Sequence, residues 1–418
     1  MSFETVSVIG LGYIGLPTAA MFASRKKKVI GVDVNQHAVD TINKGQIHIV
    51  EPELDMIVHA AVSEGYLKAT TTPEQADAFL IAVPTPFLPC QEGEIPSPDL
   101  SYIEAASKAI APVLKKGDLV ILESTSPVGA TEQMAEWLAE ARTDLTFPQT
   151  NGENADINIA HCPERVLPGH VVRELVENDR VIGGLTPKCS QRSVELYKTF
   201  VEGECVITNA RTAEMAKLTE NSSRDVQIAF ANELSIICDQ LDINVWELIT
   251  LANRHPRVNI LQPGPGVGGH CIAVDPWFIV AKTPSAAQII HTARRVNDSK
   301  PGWVIDKVKV AVADYLQSNE DKTSKDVTIA CYGLAFKPDI DDVRESPALS
   351  IYKELMNVHP GRVWGVEPNL GDSTDIPLVS FDQASEHADI HVLLVDHKEF
   401  KAQKVKFDYL VDTKGIWG

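Results

Sequence analysis

Val6-Ser7-Val8-Ile9-Gly10-Leu11-Gly12-Tyr13-Ile14-Gly15-Leu16-Pro17 decides how the rest of this chain is read. A short β-branched run enters three glycines, and the residues from Leu16 to Arg25 have helical character. Gly10, Gly12 and Gly15 fill the pattern G-x-G-x-x-G between strand and helix. The first permits a tight turn, the second lets a pyrophosphate approach the backbone, and the third lets helix and strand pack closely. The phosphates would rest on the helix N-terminus, with the backbone of Tyr13 and Ile14 beside them. The next strand, Lys28 to Asp33, ends in an acid 18 residues past Gly15. Asp33 is placed to accept from ribose hydroxyls, and its charge favours NAD over NADP.

Apolar runs at Ala78 to Val83, Leu119 to Glu123, Ile157 to Ala160 and Val181 to Gly183 alternate with helical segments, which predicts βαβ units on a parallel sheet. The proline-rich segment Pro84 to Pro98 reads as a surface loop. A first, NAD-binding Rossmann domain is expected over residues 1–205. Residues 210–240 hold no Pro or Gly, and Met215, Leu218, Val226, Ala229, Phe230, Leu234 and Ile237 recur at helical spacing. This predicts a spine helix within a mostly helical central domain, 206–318, whose apolar face suits a homodimer contact. A polar linker, Asn319 to Lys325, precedes Val327 to Gly333, and further strands are expected at Val363 to Val366, His391 to Val395 and Tyr409 to Asp412. The fold class is α/β, with two Rossmann-like doubly wound domains (the second over 319–418) joined by the helical domain.

The 418 residues exceed the size of one core, and 44% hydrophobic with 23% charged content lies in the ordinary range for a soluble globular chain. With 57 acidic against 38 basic residues the formal charge is −19, which argues against nucleic acid and anionic membrane as partners. Anionic ligands need locally clustered Arg and Lys. Seven scattered cysteines without CxxC pairs suit a reducing compartment. No leader precedes the first strand and no apolar run would span a bilayer, so the expectation is cytoplasmic, with no membrane insertion.

Gly264-Pro265-Gly266-Val267-Gly268-Gly269-His270-Cys271-Ile272-Ala273-Val274-Asp275 delivers one thiol from a glycine-rich loop toward an expected helix start. Amides and the positive dipole end there would favour a thiolate and an oxyanion on the carbon attached to it. Asp275 follows Cys271 at i+4, on the same face of such a helix. Lys217 and Asn221 are i,i+4 neighbours on the spine, with Arg224 in line at i+7, and offer an ammonium and an amide to an alkoxide. These residues alone leave three readings open. One is a dehydrogenase with covalent thiol chemistry, another a two-electron hydroxyacid dehydrogenase in which Cys271 merely packs, and the third a non-catalytic NAD-binding regulator.

Ordered motifs from end to end then supply a resemblance: GLGYIGLP at 10–17, VPTP at 83–86, ESTSPVG at 123–129, CPER at 162–165, KLTEN at 217–221, GGHC at 268–271 and GLAFKPDIDDVRESP at 333–347. The chain resembles the nucleotide-sugar 6-dehydrogenases, which oxidise a sugar C6 alcohol to a carboxylate in two NAD-dependent steps. Within that family HCPERVLPG and RHPRVNILQPGPGVGGHCIAVDPWF are most similar to members acting on UDP-N-acetyl-D-mannosamine in bacterial surface-polysaccharide synthesis of the enterobacterial common antigen type.

The resemblance implies that Cys271 is the nucleophile and that Lys217, Asn221 and Asp275 handle the proton and oxyanion. It implies that Glu164 activates or positions the hydrolytic water and that Thr125 positions that water or the nicotinamide. Thr85, Thr131 and Arg344 resemble NAD contacts. Arg165, Val166, Arg224, His255, Gly268, Phe336 and Lys337 resemble the substrate border, and Arg257 resembles an arginine reaching the sugar nucleotide from a neighbouring subunit. In one departure, Pro168-Gly169 stands where the glucose-oxidising members carry a second acid.

Overall fold

The strand that opens the chain, β1 (Thr5–Ile9), lies near the middle of an eight-stranded sheet. The others are β2 (Lys28–Val32), β3 (Leu67–Thr70), β4 (Ala78–Ile81), β5 (Leu119–Leu122), β6 (Asn158–His161), β7 (Arg180–Gly184) and β8 (Cys205–Asn209). Their spatial order is β3-β2-β1-β4-β5-β6-β7-β8. Every pairing is parallel except β6 with β7. Strand order reverses between β1 and β4, and the crevice beyond their carboxyl ends is where such sheets hold ligands. This computed structural model describes residues 3–418 apart from 50, 92, 167–168, 270 and 371–375. It divides into one unit over residues 1–220 and another over 221–418.

Both faces of the first sheet are covered, which explains the unbroken apolar runs AFLI and LVIL. Val6, Val8, Leu80, Leu119 and Ile121 turn to one side and pack with Leu16 and Phe22. Ile9, Phe79, Ile81, Val120 and Leu122 turn to the other and pack with Ile103, Met134 and Leu138.

The glycine loop follows from close approaches. Gly10 has φ +90°, a conformation that disfavours any side chain. A Cβ on Gly15 would lie 1.8 Å from the Gly10 carbonyl oxygen, whereas one on Gly12 would meet nothing within 4 Å. Gly15→Ala is therefore expected to destabilise the protein by about 3 kcal/mol, the upper range for overpacking. Gly12→Ala should unfold at the wild-type denaturant concentration yet bind NAD more weakly. Denaturant titration beside NAD-binding fluorescence separates the two, and equal midpoints for all three proteins would overturn the assignment.

In the second unit the spine helix (Ala210–Gln240) continues from Asn221 and is followed by helices Val245–Ala252, Asp275–Lys282 and Gln288–Ser318. Four parallel strands follow, β9 (Thr328–Tyr332), β10 (Arg362–Val366), β11 (Ile390–Leu393) and β12 (Leu410–Asp412), in the order β10-β9-β11-β12. Val304 and Val308 of the Gln288–Ser318 helix pack with Ile329, Cys331 and Leu355 beside this sheet.

Candidate active site

The first sheet presents a nucleotide cradle. Leu11 donates its N–H to Asp33 Oδ2 at 2.8 Å and Asn35 to Oδ1 at 2.9 Å, so the acid both braces the loop and remains half-buried at its rim. Each carboxylate oxygen keeps a second lone pair for a ribose hydroxyl. Tyr13 and Ile14 precede the helix Gly15–Ser24, whose first amides lack intrahelical partners. Across the switch point, the Thr85 hydroxyl is buried and without a hydrogen-bond partner, as a ligand-facing group would be. Thr125 follows β5 and is half-buried. The open space over Gly12, the rim acid and the Thr85 hydroxyl fit NAD. Thr131 is turned elsewhere. Its N–H and Oγ1 donate to Glu214 Oε1 at 2.8 and 2.6 Å, and Gly129 N–H donates to Oε2 at 2.7 Å. Glu214 thus caps the helix Ala130–Ala141, although its burial pushes the carboxyl above the ordinary range against the lowering by these hydrogen bonds.

Glu164 is buried and held at both oxygens. Its Oε1 accepts the Arg165 N–H at 2.7 Å and its Oε2 accepts from Arg180 Nη1 at 2.6 Å. The same guanidinium nitrogen lies 4.0 Å from Glu123 Oε1, which accepts the Tyr197 hydroxyl at 2.6 Å. Burial pushes the Glu123 carboxyl up to about 7, against the lowering by Arg180. Arg165 forks onto Glu220 at 2.7 and 3.1 Å, and Val166 packs on the core. Pro168, at the position of the missing second acid, lies outside the described residues.

The expected helix start at Cys271 is shifted by a turn. The helix begins at Asp275, and the Cys271 carbonyl accepts the N–H groups of Val274 and Asp275 at 3.1 and 2.9 Å. The i,i+4 relation of thiol and acid survives, but the thiol stands one turn outside the helix proper, exposed, while Asp275 is buried. Asn221 Nδ2 donates to Asp275 Oδ2 at 2.5 Å. None of the seven cysteines, all described, is in a disulfide.

The glycines before Cys271 serve packing. A Cβ at Gly268 would come within 2.5 Å of the Glu345 carbonyl oxygen and 3.0 Å of Phe336 Cβ, and one at Gly269, φ +84°, within 3.1 Å of the Phe336 ring. The thiol loop is thereby flattened against the segment carrying Phe336 and Lys337. Partial burial lowers the Lys337 ammonium's pKa, the charge of Arg224 adds to the lowering, and Cys271 opposes it. The loop is anchored from behind where Gly264 N–H donates to Asn232 Oδ1 at 2.9 Å. From Asn232 a buried chain runs through Asn297 to Asp225 and Arg294. His255 and Arg257 are exposed, and Arg344 forks onto Asp342.

The second sheet repeats the glycine-and-acid device with a different outcome. Gly10 and Gly333 both have strongly positive φ, and each donates to the end of the neighbouring strand at 2.8 Å. Glu367 takes Asp33's place and accepts from Leu334 and Ala335 at 2.7 and 3.0 Å. His397, fully buried, covers it with Nε2 at 3.0 Å, while its Nδ1 accepts the Asp339 N–H at 2.9 Å. The acid at the first sheet stays at the rim, and the acid at the second is sealed into a buttress for the Phe336–Lys337 loop.

Arg180, Glu123, Tyr197, Glu214 and Asn232 were not among the expected site residues. Glu123 stood inside a quoted motif, but nothing in the sequence near Arg180 marks it.

Family models match the chain in three successive blocks. The NAD binding domain of the UDP-glucose/GDP-mannose dehydrogenase family matches residues 4–201, its central domain 211–299 and its UDP binding domain 330–418. The chain belongs to the UDP-glucose/GDP-mannose dehydrogenase family. A UDP-N-acetyl-D-mannosamine dehydrogenase of Yersinia pestis is 68% identical over 100% of both chains. An NDP-N-acetyl-D-galactosaminuronic acid dehydrogenase of Ralstonia nicotianae is 61% identical over 100% of this chain and 97% of its own. The structure of a UDP-D-ManNAc dehydrogenase from Pyrococcus horikoshii superposes with a TM-score of 0.85 at 39% identity, covering 99% of this chain and 96% of the other. This protein is an NAD-dependent nucleotide-sugar dehydrogenase with two Rossmann-like sheets, as the sequence led us to expect. Among the described residues no helix is long and apolar enough to cross a membrane.

Proposed function

We propose that this dehydrogenase converts the C6 alcohol of UDP-N-acetyl-D-mannosamine to the carboxylate, in the cytoplasm, for surface-polysaccharide synthesis of the enterobacterial common antigen type. The observation that carries the chemistry is the exposed Cys271 thiol one turn before Asp275, whose carboxylate holds Asn221. The names of the relatives at 68% and 39% identity support the sugar.

Alcohol to carboxylate is a four-electron oxidation, and NAD, when bound, supplies the oxidant by accepting one hydride in each of two rounds. The residues proposed to hold it are Gly10, Gly12, Tyr13, Ile14, Gly15, Asp33, Thr85 and Thr125. Thr131 contributes as a brace through Glu214, and Arg344 is assigned to the same cofactor. Lys217 and Asn221 donate to the oxygen at C6 while the hydroxyl proton passes to water. The Cys271 sulfur adds to the aldehyde carbon, and the resulting thiohemiacetal becomes a thioester on the second oxidation. Water then adds to the thioester carbonyl with Glu164 taking its proton. The C–S bond breaks, the thiol is regenerated and the uronate leaves. Arg165, Val166, Arg224, His255, Gly268, Phe336 and Lys337 are assigned to the sugar nucleotide, with Arg257 supplied across a homodimer. Exposed Phe230 and Ile237 on the spine helix support that dimer.

Parallel incubation with NAD and UDP-ManNAc, UDP-GlcNAc or UDP-GalNAc tests the sugar. Only the first should support turnover, with two NADH per sugar consumed. The Ralstonia relative makes the galactosamine sugar the second reading, and turnover on UDP-GalNAc alone would establish it instead. A stoichiometry of one NADH per sugar would reduce the enzyme to a two-electron dehydrogenase. Lys217→Ala should lower kcat about 10²-fold at saturating substrate, the usual cost of one donor to a developing oxyanion, with an unchanged thermal midpoint. A wild-type kcat would remove Lys217 from the chemistry.

A further inference from the structure

Arg180 enters the first sheet at the start of β7, and its side chain is 3% exposed. Its Nη1 reaches Glu164 Oε2 at 2.6 Å, its guanidinium carbon stands 4.9 Å from the centre of the Tyr197 ring, and Glu123 Oε1 lies 4.0 Å away. Burial alone would favour loss of its proton, and the Glu164 charge reverses that, so the guanidinium is held charged more firmly than usual. A buried charge of this kind is costly unless it answers another. Here the answering group is the carboxylate to which the hydrolytic step is assigned.

We propose that Arg180 is a positioning residue for thioester hydrolysis, holding the Glu164 carboxylate in the one orientation from which it takes a proton from water. The inference rests on the assignment of Glu164 in the preceding section. A glutamate side chain has three rotatable bonds, and here both of its oxygens are pinned, one by the Arg165 amide and one by Arg180. With those contacts made, one direction remains for each oxygen's second lone pair, and general-base catalysis depends on that direction to a fraction of an ångström. Arg180 has no part in either oxidation. Its loss should leave thioester formation intact and slow only the final step, in which water's oxygen joins the carbonyl carbon, the C–S bond breaks and the departing sulfur is reprotonated.

The experiment mixes full-length enzyme with excess NAD and UDP-ManNAc, follows NADH, and measures the intact mass of the protein during turnover. Three variants are compared with wild type. Glu164→Gln is expected to release a burst of two NADH per active site and then slow at least tenfold, with the uronyl adduct on Cys271. Arg180→Gln should give the same burst and adduct. Arg180→Lys keeps the charge and one donor, and is expected to fold even where the glutamine variant does not and to show the burst with a smaller adduct population. Full-rate turnover of Arg180→Lys with neither burst nor adduct, while Glu164→Gln shows both, overturns the role of Arg180 alone. Absence of the adduct in Glu164→Gln overturns the underlying assignment as well. A destabilised but otherwise normal enzyme would slow all steps together and accumulate no adduct, which also counts against the proposal.

Discussion

Cys271→Ser should stop uronate production, lowering its rate by about 10³-fold or more, while the protein folds and binds NAD as before. The side chain is exposed and one turn outside the Asp275–Lys282 helix, so the exchange of sulfur for oxygen disturbs no core contact. What changes is the chemistry. A serine hydroxyl at neutral pH is a far weaker nucleophile than a thiol, which already supplies some thiolate, and any ester formed on oxygen hydrolyses more slowly than a thioester. The variant should therefore release at most one or two NADH per active site and carry either bound aldehyde or a serine ester detectable by intact mass. Steady turnover of Cys271→Ser at the wild-type rate would show that no covalent intermediate is required, and the two oxidations would then need a hydrated aldehyde instead.

The parts of this molecule that repeat a local rule were legible in the sequence. β1, the glycine loop and Asp33 could be read because a tight turn, a close approach and an acid at a strand end each demand particular residue types at particular spacings. The spine helix was legible over its whole length, Ala210–Gln240, because no residue in it breaks the 3.6-residue period. β3, with its sequence LKAT, was missed because an edge strand that is half polar carries too few alternations to register. β8 was missed although Val206-Ile207-Thr208 is β-branched, because no Gly or Pro separates it from the spine helix that begins at Ala210. The reversed direction of β7 has no local signature at all.

The same division runs through the site. Lys217, Asn221, Cys271 and Asp275 could be paired by helical spacing, whereas the Tyr197–Glu123 and Glu214–Thr131 contacts join residues 74 and 83 positions apart. No periodicity reports such partners, because each is fixed by where whole strands and helices come to rest. The glycines before Cys271 show a third case. Their presence was legible but their reason was not, since Phe336, Glu345 and Pro347 become their neighbours only in the folded chain.

Asp275→Asn is expected to cost about 10³-fold in kcat with little change in substrate KM, and it tests whether charge rather than shape matters at this position. Asp275 is 3% exposed and stands at the first residue of its helix, where the dipole favours an anion. Its carboxylate orients the Asn221 amide through the 2.5 Å bond. An asparagine fills the same volume, but it brings a second amide against the first. If the new side chain turns its carbonyl oxygen to Asn221, its own amide takes the place of the other carboxylate oxygen and a buried group loses an acceptor at about 1–3 kcal/mol. If it turns its amide there, Asn221 must rotate out of the orientation proposed for donation to the sugar oxygen. The thermal midpoint should move by only a few degrees, because relief of a buried charge offsets the lost dipole interaction. Asn221→Ala by itself should lower kcat by about 10²-fold. If the carboxylate acts through Asn221, the double variant should be no slower than Asp275→Asn alone, giving a coupling energy of about 1–3 kcal/mol. Fully additive losses would mean that Asp275 acts on the substrate independently, and its place beside Cys271 at i+4 would then carry the mechanism without Asn221 as intermediary.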